Sequence, residues 1–266
     1  MRGWSLLRRR RPDRPSDGPV LRDPETDRQL AEHGYVVVEL LTVDEVEELS
    51  SAWSSVGSEH PPVWDPTGLA TTLRHPGADL AADRAIRPVI TRACARITVD
   101  RVPFMSAFVV KEPEGGALPA HLDWTMLDDP AVRTFGCWAP LTEATEDRGQ
   151  LGVVPGSHLL VDFERSPEHP GHDWTEELLS GGARTVLLPV PIGHAVLYDH
   201  RLVHSSTPNA STRPRVAVNS ALARSSEAEA ARRRLLDMTA RGMSGAGGEP
   251  QIPDLDERTA EARPPS

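Results

Sequence analysis

The segment Arg215-Val216-Ala217-Val218-Asn219-Ser220-Ala221-Leu222 decides the fold class that we predict for this chain of 266 residues. Its two valines and its leucine share one face of an extended chain, whereas Arg215, Ala217 and Asn219 share the other, because successive side chains of a β-strand point to opposite faces. This alternation predicts a strand with one face in an apolar core. The other face, with its arginine and asparagine, suits a polar, confined cavity.

The region before this segment, from Pro103 onwards, contains further short apolar runs separated by Gly and Pro, which is the pattern of strands and turns. The runs that predict strands are Phe104–Lys111, Phe135–Leu141, Leu151–Val154, Arg184–Val190 and Ala195–Tyr198. Many short strands punctuated by turns are typical of a sandwich or barrel. We therefore predict a mainly β protein with flanking helices.

Helices are predicted on both sides of this β-rich region. Thr42-Val43-Asp44-Glu45 has the pattern of a capping box, with Thr42 as the N-cap and Glu45 three residues later. The other expected elements are a strand at Tyr35–Leu41, helices at Asp83–Ile97 and Glu227–Ala240, and a long Pro- and Gly-rich loop over residues 57–80.

One domain is expected over residues 25–241. Residues 1–24 are rich in Arg, Pro and Asp without periodicity, which predicts a disordered lead-in. Residues 242–266 are rich in Gly, Pro and charge, which predicts a flexible tail.

Composition excludes several classes of protein. Lys and Arg total 29 against 39 Asp and Glu, and a net charge of −10 disfavours nucleic-acid binding, which needs a cationic surface. No apolar run approaches the roughly 20 residues of a membrane span. Two cysteines cannot form a disulfide framework. The basic start of the chain lacks the apolar stretch of a secretory signal, so we expect a cytoplasmic protein.

The motif His121-Leu122-Asp123 is a candidate metal site. In a strand or at its end, residues i and i+2 point to the same side, so the imidazole and the carboxylate can reach one ion. His204, at the end of another apolar segment, is the candidate third ligand. Two histidines and one carboxylate form the facial triad of non-haem Fe(II) oxygenases, which leaves coordination positions open.

Arg215, eleven residues after His204, strengthens this interpretation. It lies on the polar face of its predicted strand, where a guanidinium can hold a carboxylate with two hydrogen bonds. A dicarboxylate cosubstrate requires this kind of anchor.

The stretch from Ala120 to Val218 resembles the phytanoyl-CoA dioxygenase family of Fe(II)/2-oxoglutarate oxygenases. The residues that carry the resemblance are His121-Leu122-Asp123-Trp124, Trp138-Ala139-Pro140-Leu141, the run Gly149–His158 with its Pro155-Gly156-Ser157-His158 element, His204, Asn209 and Arg215. The resemblance implies a double-stranded β-helix (jelly-roll, cupin-like) core. It also implies Fe(II) bound by His121, Asp123 and His204, with 2-oxoglutarate anchored by Arg215 and lined by Trp138. Thr125 and Lys111 are further candidates for the cosubstrate pocket.

The function implied by this resemblance is hydroxylation of a small organic molecule in secondary metabolism, with O₂ consumed and succinate and CO₂ released. Halogenating relatives have Gly or Ala in place of the carboxylate, so Asp123 predicts that this chain does not halogenate.

Desaturation, epimerisation and cyclisation with the same cofactors remain open, as do a non-catalytic jelly-roll binding protein and a metal-dependent hydrolase. The oligomeric state does not follow from the sequence. His158 is interpreted as a structural turn residue, and residues 57–80 and 163–182 are expected to shape the substrate pocket.

Overall fold

The computed structural model of the protein describes residues 18–65, 68–74, 78–129 and 132–245. Within these ranges the α-helices are α1 (Pro24–His33), α2 (Val43–Glu59), α3 (Ala78–Ile97), α4 (His172–Ser180) and α5 (Ala228–Gly245). The strands are β1 (Tyr35–Glu39), β2 (Leu69–Thr71), β3 (Val102–Lys111), β4 (Leu118–His121), β5 (Phe135–Pro140), β6 (Leu151–Val153), β7 (Val186–Leu187), β8 (His194–Asp199), β9 (His204–Ser206) and β10 (Arg215–Ala223).

The strands form two antiparallel sheets. The larger has the order β1-β8-β5-β10-β3-β2, and the smaller has the order β4-β9-β6-β7. Trp138, Tyr198 and Ala217 of the larger sheet pack with Leu151 and Val153 of the smaller in one apolar cluster, so the sheets enclose a common interior. This is the predicted double-stranded β-helix.

Strand β10 has the two faces that its sequence predicts. Val216, Val218 and Leu222 lie in a buried apolar cluster with residues of α2 and α3, on the outer face of the larger sheet. Ala217 belongs to the inner cluster instead. The register pairs Arg215 with Lys111 on β3, so both side chains lie on the inner face. Helices thus cover one face of this sheet, and the interior of the jelly roll lies on the other.

The N-terminal capping box is formed as predicted. The Thr42 side chain accepts the backbone N–H of Glu45 at 3.2 Å, and the Glu45 carboxylate accepts the backbone N–H of Thr42 at 3.0 Å. The preceding strand ends at Glu39 rather than at Leu41, because the next two backbone N–H groups donate to the Gly193 carbonyl.

The long loop predicted over residues 57–80 is wrong in part. Helix α2 extends to Glu59, β2 adds an edge strand to β3, and α3 already begins at Ala78. The short strands β4 and β9 and helix α4 were also not predicted. Strands of three or four residues are too short to show a periodic pattern, so their pairing partners define them.

The predicted lead-in ends earlier than residue 24. Val20 and Leu21 are buried, and both of their backbone N–H groups donate to the Asp27 carboxylate, at 2.7 and 2.9 Å. Helix α5 similarly extends into the predicted tail, to Gly245. The remaining parts of these two predictions, residues 1–17 and 246–266, lie outside the described residues. None of the helices in the described ranges has both the length and the apolar character needed to cross a membrane.

The Pro155-Gly156-Ser157-His158 element attaches helix α1 to the sheets. The Gly156 N–H donates to the His33 carbonyl at 2.9 Å, and His158 Nε2 donates to the Ala31 carbonyl at 3.1 Å. Gly34 follows the helix with φ of +82°, and a Cβ there would lie 2.4 Å from His158 Nδ1. The position therefore requires glycine, and His158 has the structural role that its sequence context predicts.

Candidate metal centre and cosubstrate pocket

The three predicted metal ligands converge. Strands β4 and β9 pair with His121 directly opposite His204, and Asp123 follows two residues after His121. One ligand atom from each of the three side chains lies within 4.8 Å of the others. His204 Nε2 is 4.0 Å from Asp123 Oδ1, and the two imidazole ring centroids are 4.2 Å apart. These distances suit coordination of a single ion.

Backbone carbonyls orient both imidazoles. His121 Nδ1 lies 2.9 Å from the Pro119 carbonyl, and His204 Nδ1 lies 3.0 Å from the Leu202 carbonyl. Since a carbonyl can only accept, each Nδ1 carries the proton and each Nε2 keeps a free lone pair. This arrangement is common around metal-binding histidines, because it fixes the tautomer and the ring orientation.

The electrostatics match a cation site. Burial, reinforced by the neighbouring His204, lowers the pKa of His121 to about 4. Burial acts to raise the pKa of Asp123, but the nearby histidines and a hydrogen bond from Tyr198 outweigh it, and the net shift is downward. His121 is therefore neutral and Asp123 ionised at neutral pH, which are the protonation states that bind a metal ion.

Two neighbours of Asp123 were missed by the sequence reasoning. Interaction with the Tyr198 hydroxyl helps to lower the pKa of Asp123, and the Tyr198 ring packs on Gly136, where a Cβ would lie only 2.1 Å away. His200 Nε2 lies 3.9 Å from Asp123 Oδ2, while His200 Nδ1 is 2.8 Å from the Thr134 hydroxyl. Strand β8 ends at Asp199 and residues 200–203 form a turn before β9, so the spacing of Tyr198 and His200 from His204 does not predict these contacts.

Arg215 is a buried cation with unused hydrogen-bonding capacity. It is 2% exposed, and its Nη1 donates to the Val109 carbonyl at 3.3 Å. Its buried Nε has no acceptor among the described residues. Its guanidinium carbon lies 5.5 Å from the Trp138 ring centroid. Burial lowers the pKa of Arg215 to about 10, which still leaves it charged at neutral pH, and a buried charge of this kind requires an anionic partner.

Lys111 lies beside Arg215, but its donors are already used. Its ammonium donates to the Gly116 carbonyl, the Ser206 hydroxyl and the Thr207 carbonyl at 2.7–2.8 Å. Burial, followed by repulsion from Arg215, lowers the pKa of Lys111 to about 8. Lys111 therefore contributes positive charge to the pocket, whereas its hydrogen bonds hold the surrounding backbone.

Thr125, the remaining candidate for the cosubstrate pocket, has a different partner. Its hydroxyl accepts the backbone N–H of Arg165 at 2.9 Å, and its own N–H donates to the Arg165 carbonyl at 2.9 Å. The structure thus links Thr125 to Arg165, which lies in the region 163–182 that we expect to shape the substrate pocket.

The two regions expected to shape the substrate pocket lie in different places. In residues 163–182, Trp174 packs edge-on against Phe163 at 5.6 Å, in a cluster that includes Leu122, the residue between two metal-ligand candidates. In residues 57–80, Trp64 lines a cavity of about 160 Å³ together with Phe108, whose side chain belongs to the outer face of the larger sheet. The 163–182 insertion is therefore the one beside the candidate metal centre.

The fold and site together define a double-stranded β-helix protein with a candidate metal site of two histidines and one carboxylate. The sequence profile described as "Phytanoyl-CoA dioxygenase (PhyH)" matches residues 30–217, and this chain belongs to that family. The match confirms the resemblance predicted from the motifs.

Curated relatives agree with this assignment. Phytanoyl-CoA dioxygenase domain-containing protein 1 of Danio rerio is 29% identical over 133 residues, which are 47% of this chain and 46% of that protein. Its counterpart in Mus musculus is 30% identical over 124 residues, 44% of this chain and 43% of that protein. The matches thus span less than half of each relative's length.

Solved structures share the fold. The carbocyclase SnoK from nogalamycin biosynthesis superposes with a TM-score of 0.57 at 23% identity, covering 75% of this chain and 83% of that chain. EctD from S. alaskensis, solved with 2-oxoglutarate and 5-hydroxyectoine, gives 0.54 at 22% identity, covering 82% and 86%. The epimerase SnoN, solved with Fe³⁺, α-ketoglutarate and nogalamycin RO, gives 0.54 at 19% identity, covering 75% and 82%. At these identities the likeness is one of fold.

Proposed function

We propose that this chain is an Fe(II)- and 2-oxoglutarate-dependent oxygenase that hydroxylates an unactivated C–H bond of a small natural-product-like or amino-acid-like molecule. One observation carries the proposal: His121, Asp123 and His204 converge in the same interior as Arg215, a buried guanidinium with an unused donor. In the overall reaction, 2-oxoglutarate, O₂ and the C–H compound give succinate, CO₂ and an alcohol.

The donor set fits ferrous iron. Two imidazole nitrogens and one carboxylate oxygen occupy one side of an octahedral ion and leave positions open, which is the arrangement of non-haem Fe(II) oxygenases. When bound, the iron supplies the redox chemistry that couples decarboxylation of the keto acid to C–H oxidation. The chain's own contribution is to hold the two Nε2 atoms and an ionised Asp123 in place through the Pro119 and Leu202 carbonyls and the Tyr198 hydroxyl.

The cosubstrate's distal carboxylate would pair with Arg215. A guanidinium can grip a carboxylate with two parallel hydrogen bonds, and the neighbouring charge of Lys111 adds attraction in a water-poor interior. Trp138 lies against the Arg215 guanidinium and limits its movement. Gly149 allows this close packing, since a Cβ there would lie 3.1 Å from both Arg215 Nε and Lys111 Cδ.

Asn219 is the residue that we expect to face the substrate. It lies four residues from Arg215 on β10, a separation of about 13 Å along a strand, which is beyond a five-carbon acid anchored at Arg215. Asn219 Nδ2 donates to the Tyr198 hydroxyl oxygen, 3.5 Å away. Asn219 Oδ1 is then buried without a donor among the described residues, and it can accept an O–H or N–H of a substrate.

Asp123 also argues for hydroxylation over halogenation, because a carboxylate ligand occupies the position that a halide would need. Ring closure and epimerisation with the same cofactors form the second candidate. The carbocyclase SnoK and the epimerase SnoN support this candidate, since both have this fold. A non-catalytic binding protein would not need two histidines and a carboxylate that converge in the same interior as a buried arginine whose Nε has no acceptor among the described residues.

The test is turnover of 2-oxoglutarate. Purified protein with Fe(II), ascorbate, O₂ and a library of small molecules should form succinate, and mass spectrometry of the stimulating compound should show a gain of one oxygen atom. Asp123→Ala should abolish succinate formation, whereas Asp173→Ala, which removes an exposed carboxylate of α4, should not. Product with two hydrogen atoms fewer, or with unchanged mass and altered stereochemistry, would favour the second candidate. A chlorinated product in the presence of chloride would contradict the assignment, and absence of any turnover would favour the binding protein.

A further inference from the structure

Asp123 lies on irregular backbone, unlike the two histidines. His121 ends β4 and His204 begins β9, and the two are paired across the smaller sheet. Residues 122–129 form neither helix nor strand. The position of the Asp123 carboxylate must therefore depend on other contacts, because no sheet ladder holds its backbone.

Arg165 supplies the first of these contacts. Its Nε donates to the Asp123 backbone carbonyl at 2.6 Å, and Arg165 as a whole is only 3% exposed. Two further hydrogen bonds of 2.9 Å join these segments: the Thr125 N–H donates to the Arg165 carbonyl, and the Arg165 N–H donates to the Thr125 hydroxyl. One arginine thus holds the loop at residues 123 and 125 at the same time.

Arg234 of helix α5 supplies the second contact. It binds Thr125, which precedes it by 109 residues in the sequence. Its Nε donates to the Thr125 carbonyl at 2.9 Å. Its two terminal nitrogens donate to the carboxylates of Asp128, at 2.5 Å, and of Glu164. Arg234 therefore joins the metal-ligand loop to the segment that contains Arg165. We call Arg165 and Arg234 the arginine brace.

We propose that the arginine brace positions Asp123 for metal binding, so that the C-terminal helix α5 contributes to metal affinity without supplying a ligand. The inference rests on the proposed function, because it takes His121, Asp123 and His204 as the ligands of one ion. Arg165 and Arg234 are positioning residues in this scheme. They act through the Asp123 and Thr125 carbonyls.

The expected size of the effect follows from other metal sites. Loss of a group that orients a metal ligand through a hydrogen bond commonly weakens metal binding about 10- to 100-fold. A brace that only stabilised the fold would lower the melting temperature and leave the metal affinity of the folded protein unchanged.

Helix α5 provides a matched control in Arg232. Its Nη1 donates to the Asp83 carboxylate at 3.1 Å and to the Phe104 carbonyl at 2.8 Å, so it ties the same helix to α3 and β3. The Arg232 and Arg234 side chains are equally exposed, at 21% each. Replacing either by Met removes a partly buried, ion-paired arginine from α5, but only Arg234 contacts the metal-ligand loop.

The experiment measures Mn²⁺ binding to the full chain by the electron paramagnetic resonance signal of free Mn²⁺, with 2-oxoglutarate present. Arg234→Met should raise the Kd for Mn²⁺ about 10- to 100-fold, whereas Arg232→Met should change it less than about twofold. Melting temperatures measured without metal report the loss of stability in both variants. Arg234→Gln, which keeps a polar surface residue too short to reach Thr125, gives a second measurement if the Met variant folds poorly.

Equal Mn²⁺ affinities for the Arg232 and Arg234 variants would overturn the inference while leaving the proposed function intact. Failure of the unmodified chain to bind Mn²⁺ would instead overturn the proposed function, and the inference with it. A larger Kd for Arg234→Met at a melting temperature matching that of Arg232→Met would establish positioning as its role.

Discussion

The two faces of strand β10 serve different purposes. On the outer face, Val216 and Val218 are packed against helices in the largest apolar cluster. On the inner face, Arg215 Nε and Asn219 Oδ1 are buried without protein partners among the described residues. Buried polar groups without partners cost stability, and they are expected where a ligand completes them. The outer face therefore stabilises the fold. The unpartnered polar groups of the inner face lower stability but are available to bind a ligand.

Damage to the outer face should affect stability alone, and the largest effect is expected at Phe108. This residue is fully buried, pairs with Val218 across the ladder and lies 5.3 Å from the Trp53 ring. Phe108→Ala should lower the free energy of unfolding by about 3–5 kcal/mol in urea titrations. Val43→Ala, at a 74% exposed site, is the control. A parallel loss of Mn²⁺ affinity in the folded variant would break the proposed separation of the two faces.

A substitution on the inner face should have the opposite effect: it should weaken ligand binding without lowering stability. Arg215→Met removes a buried cation for which the described part of the chain supplies no counter-charge, so the melting temperature should stay constant or rise. The affinity for 2-oxoglutarate should fall by about 30-fold or more, since truncating one partner of a buried charge pair costs about 2–5 kcal/mol. The exposed Arg213→Met provides the control two residues away. A lower melting temperature with unchanged 2-oxoglutarate affinity would assign Arg215 to the core instead.

His158 gives the contact between α1 and the sheets a pH dependence. Burial lowers its pKa to about 4, although Asp199 partly opposes the shift, and Arg201 and Arg133 add to it. A folded-state pKa below the unfolded value of about 6.5 means that the unfolded chain binds the proton more readily. Stability should therefore fall as the pH drops from 7 towards 4.

The contribution of His158 can be isolated by comparison with His158→Gln. Between pH 7 and pH 4 the wild type should lose up to about 3 kcal/mol more unfolding free energy than the variant, from 2.5 units of pKa at 1.36 kcal/mol each. Urea titrations at several pH values provide the measurement. Parallel pH profiles for the two proteins would mean that the pKa of His158 is the same in the folded and unfolded chains, and would contradict the prediction.

The sequence predicts the parts of this structure that have local signals. The alternation in β10 gives its two faces, and the Thr42–Glu45 spacing gives the start of α2. The candidate metal ligands and Arg215 were identified because they occur in order with motifs that resemble one family, above all Pro155-Gly156-Ser157-His158. The side chains of those candidate ligands do converge.

The missing parts are those that depend on distant residues. Strands β4 and β9 form where His121 pairs with His204, and strands of three or four residues are too short for their sequences to predict this pairing. The arginine brace joins residues 123, 165 and 234, and nothing in the sequence around Arg234 distinguishes it from an exposed helix position. Contacts between side chains and backbone carbonyls across long separations need coordinates.

The smallest predicted effect concerns the N-terminal cap of α2, a helix that packs on the outer face of the larger sheet. Thr42 caps α2, whose residue Leu49 is fully buried against the larger sheet, and Glu45 also binds Arg96 at 2.7 Å. Thr42→Ala should cost about 1 kcal/mol of unfolding free energy, because the Glu45 N–H loses its acceptor, while Thr42→Ser should restore most of it. Since α2 touches only the outer face, 2-oxoglutarate affinity should change less than about twofold. A larger change would mean that strain in the helical layer reaches Arg215 through the sheet, and the two faces would then not be independent.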